Sequence, residues 1–216
     1  WRLEDGTYLP PSSFVDIFEK NRFCSKLDFY MLKKAIQQIR KWIDMGMNPV
    51  NISVNQSKIV FYHENYISEL KSLLEEYNVL GSYITLEVLE STVIEDIDMF
   101  NSILTEVKKL GFSVSLDDFG SGYSSLNVLS KLQIDELKID RIFLHTKSEV
   151  DNQRTKWILE SIIDIAKKSQ ILVVVEGVES KQDDLFIKNL GADVGQGYFY
   201  GRPLSISAFN DLIETK

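Results

Sequence analysis

The stretch GFSVSLDDFGSGYSS, residues 111–125, decides how the rest of the chain is read. Gly111 suits the position just past a helix end, and residues 112–117 form a short strand candidate closed by two adjacent carboxylates, Asp117 and Asp118. Gly120 and Gly122 then let the following loop turn tightly, and Ser124 or Ser125 suits the cap of the next helix. Outward from this stretch the design recurs. Strand candidates at 50–55, 83–87, 112–117, 136–140, 171–176 and 194–197 end at or close to Asn55, Glu87, Asp117–Asp118, Lys138, Glu176 and Gln196. Helical spacing is expected at 25–45, 66–77, 98–110, 155–169, 182–190 and 208–214, the first with an apolar face of Leu27, Tyr30, Met31, Ala35, Ile39 and Trp42.

Strand–helix alternation implies a parallel sheet built from right-handed crossovers. A doubly wound nucleotide binder carries a Gly-rich turn after its first strand, and none follows residues 50–55. A closed barrel instead places functional residues at the carboxyl ends of many strands. The expected fold is therefore α/β, a TIM-like (β/α) barrel. Such a barrel has eight strands in roughly 250 residues, whereas six are legible here and the chain opens just ahead of a helix. The reading expects residues 1–216 to be one domain, truncated at its N-terminus, with two strands missing upstream.

Of the 216 residues, 44% are hydrophobic and 26% charged, an ordinary globular balance. The net charge of −8 argues against a nucleic-acid polymer as partner. It is compatible with a small phosphorylated substrate when bound divalent ions supply the positive field. No apolar run reaches the roughly 18–20 residues of a membrane helix, so no membrane contact is expected of this portion, and no secretory leader is legible. A single cysteine, Cys24, rules out an internal disulfide and fits a reducing, cytoplasmic setting, with Cys24 itself in helix packing. One Cys and two His, His63 and His145, disfavour a zinc site of the His/Cys type, leaving Mg²⁺ or Mn²⁺ held by oxygen ligands.

Two carboxylates at the end of a buried strand repel each other and lose solvation, a cost that divalent ions relieve. The bland alternative is an Asp-capped strand-to-helix turn, which usually needs one Asp. The Asp-Phe-Gly within the stretch is also found in protein kinases, but no Gly-rich phosphate loop or His-Arg-Asp loop accompanies it. Glu87 and Glu90, in Glu-Val-Leu-Glu, read either as a ligand and a loop anchor or as a surface pair at a helix start. Asn55 offers a hard amide oxygen, or an ordinary turn residue. Lys138 shares a strand face with Asp140; it either orients a nucleophilic water or forms a salt bridge to Asp140. Glu176 follows an apolar strand directly, Glu179 lies three residues later, and Gln196 is flanked by glycines that would permit close approach of a ligand. Six strand ends with oxygen ligands or an amine, and no nucleophilic Ser or Cys beside a base, specify a two-metal hydrolytic site better than any single motif.

These blocks resemble the EAL domain family of bacterial c-di-GMP phosphodiesterases. The resemblance runs from LPPSSF at 9–14 to GRPL at 201–204. Its most specific parts are SVN at 53–55, DDFGSGYSSL at 117–126, LKID at 137–140, VEGVES at 175–180 and QGYFYGRP at 196–203. It implies a barrel with two Mg²⁺ or Mn²⁺ ions that hydrolyses c-di-GMP to linear pGpG. By motif, Asn55, Glu87, Asp117, Asp118 and Glu176 look like metal ligands, and Lys138 looks like the residue that holds the attacking water. Glu179 and Gln196 look like supporting residues, Glu90 like the anchor of the loop at 118–125, and Arg202 like a substrate contact. A homodimer and a fused sensory or GGDEF domain outside this chain are implied as well. The family's Glu-Ala-Leu motif falls just before an Arg-Trp pair to which Trp1 corresponds, so the namesake Glu is expected to lie outside the chain, leaving its metal site incomplete. Leu89 stands where the family often has Thr, a change expected to be mild. The alternative within the same resemblance is a catalytically inactive module that binds c-di-GMP as a sensor; a purely structural domain acting through dimerisation is the third reading.

Overall fold

The computed structural model describes residues 1, 3–21, 23–93, 96–121, 126–144 and 149–214; Gly122, Ser124, Ser125 and His145 lie outside the described residues. Two compact units emerge, Trp1–Asp117 with Gly122–Glu136, and Asp118–Ser121 with Leu137–Lys216.

Unit one opens with helices α1 (Val15–Lys20) and α2 (Cys24–Asp44). Along α2, Cys24, Asp28, Leu32, Ala35, Ile36, Ile39 and Trp42 are buried at spacings of three and four residues, the stripe of an amphipathic helix. This corrects the expected face, because Tyr30 and Met31 are 56% and 48% exposed. Leu32 and Ile36 occupy the centre of the stripe and rotate those two side chains toward water. Asp28, a charged intruder on the stripe, accepts from the Ser57 N–H at 3.0 Å and the Ser57 hydroxyl at 2.5 Å.

Then follow β1 (Ile52–Gln56), α3 (Tyr66–Tyr77), β2 (Ile84–Leu89), α4 (Glu90–Val93), α5 (Ile97–Lys109), β3 (Ser113–Phe119, whose last two residues belong to unit two) and α6 (Leu126–Lys131). Asp96 caps α5 by accepting from the Met99 N–H at 2.9 Å. Gly111 sits just past the helix at φ +91°, as its position in the sequence leads one to expect. The strands pair in parallel, Ile52 with Ile84 and Thr85 with Ser113, each register running to the strand ends.

Unit two contains β4 (Glu136–Ile139, whose first residue belongs to unit one), α7 (Glu149–Lys168), β5 (Leu172–Val175), α8 (Lys181–Asn189), β6 (Val194–Gly195) and α9 (Ile206–Glu214). Val173, Val174 and Val175 are all buried, as both faces of a parallel sheet require. The strand order is β1-β2-β3 in unit one and β4-β5-β6 in unit two, so within each unit every crossover joins sequential neighbours.

One brace is built twice at the amino ends of the strands. In unit one, Asp135, just before β4, accepts from the Val114 N–H at 3.0 Å and pairs with Lys108 of α5 at 2.6 Å. In unit two, Asp193, just before β6, accepts from the Val173 N–H at 2.9 Å and faces Lys167 of α7 at 3.6 Å. Each aspartate also donates its own N–H to the carbonyl of the same valine. Among the described residues no helix is long and apolar enough to cross a membrane.

Candidate functional site

In unit one the register sets Asn55 opposite Glu87, Glu87 opposite Ser115 and Leu89 opposite Asp117. Register partners share a face, as do residues two apart on one strand. Asn55, Glu87, Ser115 and Asp117 therefore lie on a single face toward the carboxyl ends, while Val54, Leu86, Val88, Val114 and Leu116 fill the other with buried apolar side chains. Glu87 and Asp117 are only 7% and 9% exposed, and Asn55 is exposed. Ser115 is not among the residues expected above, although its place two residues before Asp117 carries the signal. It is fully buried, and its hydroxyl finds no hydrogen-bond partner among the described residues.

Successive strand residues point to opposite faces, which would part Asp117 from Asp118. The backbone answers this at Asp118, which takes φ 57°, a left-handed conformation that Asp tolerates better than most residues. Within unit two, one carboxylate oxygen each from Asp118 and Glu176 lie within 4.8 Å of one another. Such a pair of hard oxygens suits a divalent cation of the Mg²⁺ or Mn²⁺ kind.

In unit two the ladder continues past the formal strand ends. Glu176 N–H donates to Ile139 O at 3.0 Å, and Gln196 N–H donates to Val175 O at 2.9 Å. Lys138 is 4% exposed, and its Nζ lies 2.7 Å from Glu176 Oε1. Gln196 Nε2 donates to the same oxygen at 3.0 Å. The structure thus brings Lys138, Glu176 and Gln196 together. Asp140 instead turns at the strand end, accepting from the Ile142 N–H at 2.7 Å.

The remaining expected residues stand at the edges of this arrangement. Glu90 begins α4 and is buried. Glu179 is exposed, its N–H donating to Asp183 Oδ2 at 3.1 Å beside the capping box of α8. The Arg202 guanidinium lies over the Tyr198 ring, 4.6 Å from its centroid.

The glycines flanking Gln196 serve packing within the chain. A Cβ on Gly197 would run into the backbone of Val178, and one on Gly195 would meet the hydroxyl of Tyr200 and, at 2.7 Å, Ile187 Cδ1. Tyr200 Oη donates to Asp184 Oδ1 at 2.6 Å, and Lys188 Nζ donates to Asp184 Oδ2 at 2.9 Å. Lys188 foremost, then Tyr200, lowers the Asp184 carboxyl below its ordinary value. Burial foremost, then Asp184, pushes the Tyr200 hydroxyl up to about 12, so it remains a donor at neutral pH.

Parallel strands alternating with helices, and an acidic cluster at strand carboxyl ends, define an α/β protein of the TIM-like class. The family model described as the EAL domain matches residues 1–203, and the chain belongs to that family. The chain is 32% identical over 204 residues to the Pseudomonas aeruginosa "Bifunctional diguanylate cyclase/cyclic di-GMP phosphodiesterase MucR", covering 94% of this chain and 30% of MucR. It is also 32% identical over 213 residues to "Cyclic di-GMP phosphodiesterase NbdA" of the same organism, covering 99% of this chain and 27% of NbdA. The chain thus spans about a third or less of these relatives. The solved structure "PaMucR Phosphodiesterase, c-di-GMP complex" superposes with a TM-score of 0.87 at 32% identity, covering 97% of this chain and 84% of that one.

Proposed function

We propose that the domain to which residues 1–216 belong hydrolyses one phosphodiester of c-di-GMP to linear pGpG, with two Mg²⁺ or Mn²⁺ ions. The observation that carries this reading is the pairing of the Asp118 and Glu176 carboxylates within 4.8 Å in unit two, with Lys138 held on Glu176. The relatives named as c-di-GMP phosphodiesterases support the substrate.

In this reading Asn55, Glu87, Asp117, Asp118 and Glu176 hold the ions. The donor set fits them, all five offering oxygen, and the buried Ser115 hydroxyl on the same face as Glu87 and Asp117 adds a donor for a water or ligand. The ions, when bound, supply Lewis acidity at the phosphoryl oxygens and make water a better nucleophile at neutral pH. Lys138, buried and fixed by Glu176, orients the attacking water. Its oxygen bonds to phosphorus, the bond from phosphorus to the 3′ oxygen breaks, and that oxygen leaves with a proton as a hydroxyl. Gln196 holds the Glu176 oxygen that Lys138 meets, Glu90 anchors the loop after Asp118, Glu179 supports the site through a water, and Arg202 contacts the nucleotide. The domain works as a homodimer, in the cytoplasm, fused to a sensory or GGDEF domain.

Chromatography after incubation with c-di-GMP and Mn²⁺ or Mg²⁺ tests this. Metal-dependent pGpG from the wild type and none from Asp117→Asn is the expected result. A folded wild type that binds the dinucleotide and yields no pGpG would make the domain a sensor.

A further inference from the structure

Gln196 meets Glu176 through its side chain, but something must hold its backbone for that contact to be specific. On one side, Gln196 N–H donates to Val175 O at 2.9 Å and Gln196 O accepts from Val178 N–H at 3.0 Å. The Gly197 side is closed by the Val178 backbone, three residues past β5. The Gly195 side is closed by a side chain, the ring and hydroxyl of Tyr200, backed by Ile187.

Tyr200 is 49% exposed, so packing alone does not pin its ring. Its hydroxyl does so through the 2.6 Å bond to Asp184, a carboxylate on α8 that Lys188 also holds. A relay of contacts therefore runs from α8 through Asp184 and Tyr200 to the backbone at Gly195, then through Gln196 to the Glu176 oxygen that Lys138 contacts at 2.7 Å. Every member lies in unit two.

We propose that Tyr200, fixed by Asp184, is a positioning residue for Gln196 and through it for the Glu176 carboxylate. The kinetic consequence rests on the hydrolytic reading above; the structural one does not. A tyrosine that only tied β6 to α8 would affect stability without acting through Gln196.

The test compares wild type, Tyr200→Phe, Gln196→Ala and the double variant by steady-state kinetics on c-di-GMP with Mn²⁺. Tyr200→Phe lowers kcat by roughly 3- to 10-fold with KM within about twofold, and lowers it by less than about 1.5-fold when residue 196 is already Ala. Asp184→Ala behaves like Tyr200→Phe, while Asp184→Asn, which keeps an acceptor for the hydroxyl, stays close to wild type. In parallel, the Gln196 side-chain amide signals in a ¹⁵N spectrum, assigned by their loss in Gln196→Ala, shift or broaden in Tyr200→Phe. If the wild type makes no pGpG, the hydrolytic reading falls and the ¹⁵N signals decide the positioning role alone. Equal losses of kcat in both backgrounds, or Gln196 signals unmoved by Tyr200→Phe, overturn it.

Discussion

Lys138 is the most exacting residue in the molecule. An ammonium that is 4% exposed is tolerable only beside an opposite charge, and Glu176 supplies one at 2.7 Å. Replacing it with Met keeps the aliphatic stem and removes the donor. Lys138→Met is expected to lower kcat by about 100-fold or more while KM moves only a few-fold, read from initial rates at saturating metal. A change confined to KM would make Lys138 a substrate clamp. The sequence announces this residue by its place at a strand end, but not its partner. Alternation puts Asp140 on the same face, and only the termination of β4 at Ile139 turns Asp140 away to the Ile142 N–H. Nor does any pattern foretell the left-handed backbone at Asp118, because Asp-Asp reads the same whether the second residue continues the strand or leaves it. Ser115 is announced only by its place two residues before Asp117, and its hydroxyl gains chemical meaning once its burial is known.

At the level of elements, the long periodic segments are legible and the short ones are not. Residues 66–77 match α3 at both ends, since Leu70 and Leu74 repeat on one buried face and Asn78 stops the helix in a left-handed turn. The one-turn α4 and the six-residue α1 and α6 fall below the length at which a 3.6-residue period can be recognised. Helix α7 begins at Glu149, earlier than its apolar spacing indicates, because residues 149–154 include a single apolar residue, Val150, and carry no periodic signal. The two aspartate braces are also illegible, since each joins a loop residue to a strand N–H and a helix lysine far apart in sequence. Asp135→Ala strips the acceptor from the buried Val114 N–H and is expected to cost about 1–3 kcal/mol in urea unfolding. Lys108→Met, which removes only a half-exposed ion-pair partner, is expected to cost less than about 1 kcal/mol. Equal losses in the two variants would mean that the brace acts through the ion pair.

For the molecule as a whole, the net charge is −8, and the acids at the strand ends are where a cation is expected to act. A cation that binds only the folded chain stabilises it by mass action, by about 2.7 kcal/mol at 100 times the dissociation constant. Mn²⁺ is expected to raise the Tm of the wild type in calorimetry and to leave that of Asp117→Asn nearly unmoved; an equal rise in both would place the ion elsewhere. Protons act on the chain at a second point. Burial raises the Asp28 carboxyl above its ordinary value of 3.8, against the lowering by its two bonds from Ser57. The folded chain therefore holds that proton more tightly than the unfolded chain does. The resulting stability is complete below pH 3.8 and is lost as pH rises through the folded value. Asp28→Asn, which still accepts from Ser57, should match or exceed the wild-type urea midpoint at pH 7, with the advantage shrinking toward pH 4. A variant markedly weaker at pH 7 would show that the charge itself is wanted there. Parallel alternation made the strand order within each unit legible from the chain, because each crossover there joins sequential neighbours.

The twin braces carry a consequence for how this domain can change over generations. They fasten the amino ends of the strands, where Asp135 and Asp193 sit, while the acids that would do the chemistry crowd the carboxyl ends. Foldedness and turnover are thus written in different residues, and selection can relax one without eroding the other. Under the proposed hydrolysis, a single base change at Asp117 would silence turnover and leave both fastenings intact, so a receptor for the same nucleotide would lie one mutational step away and need no new scaffold.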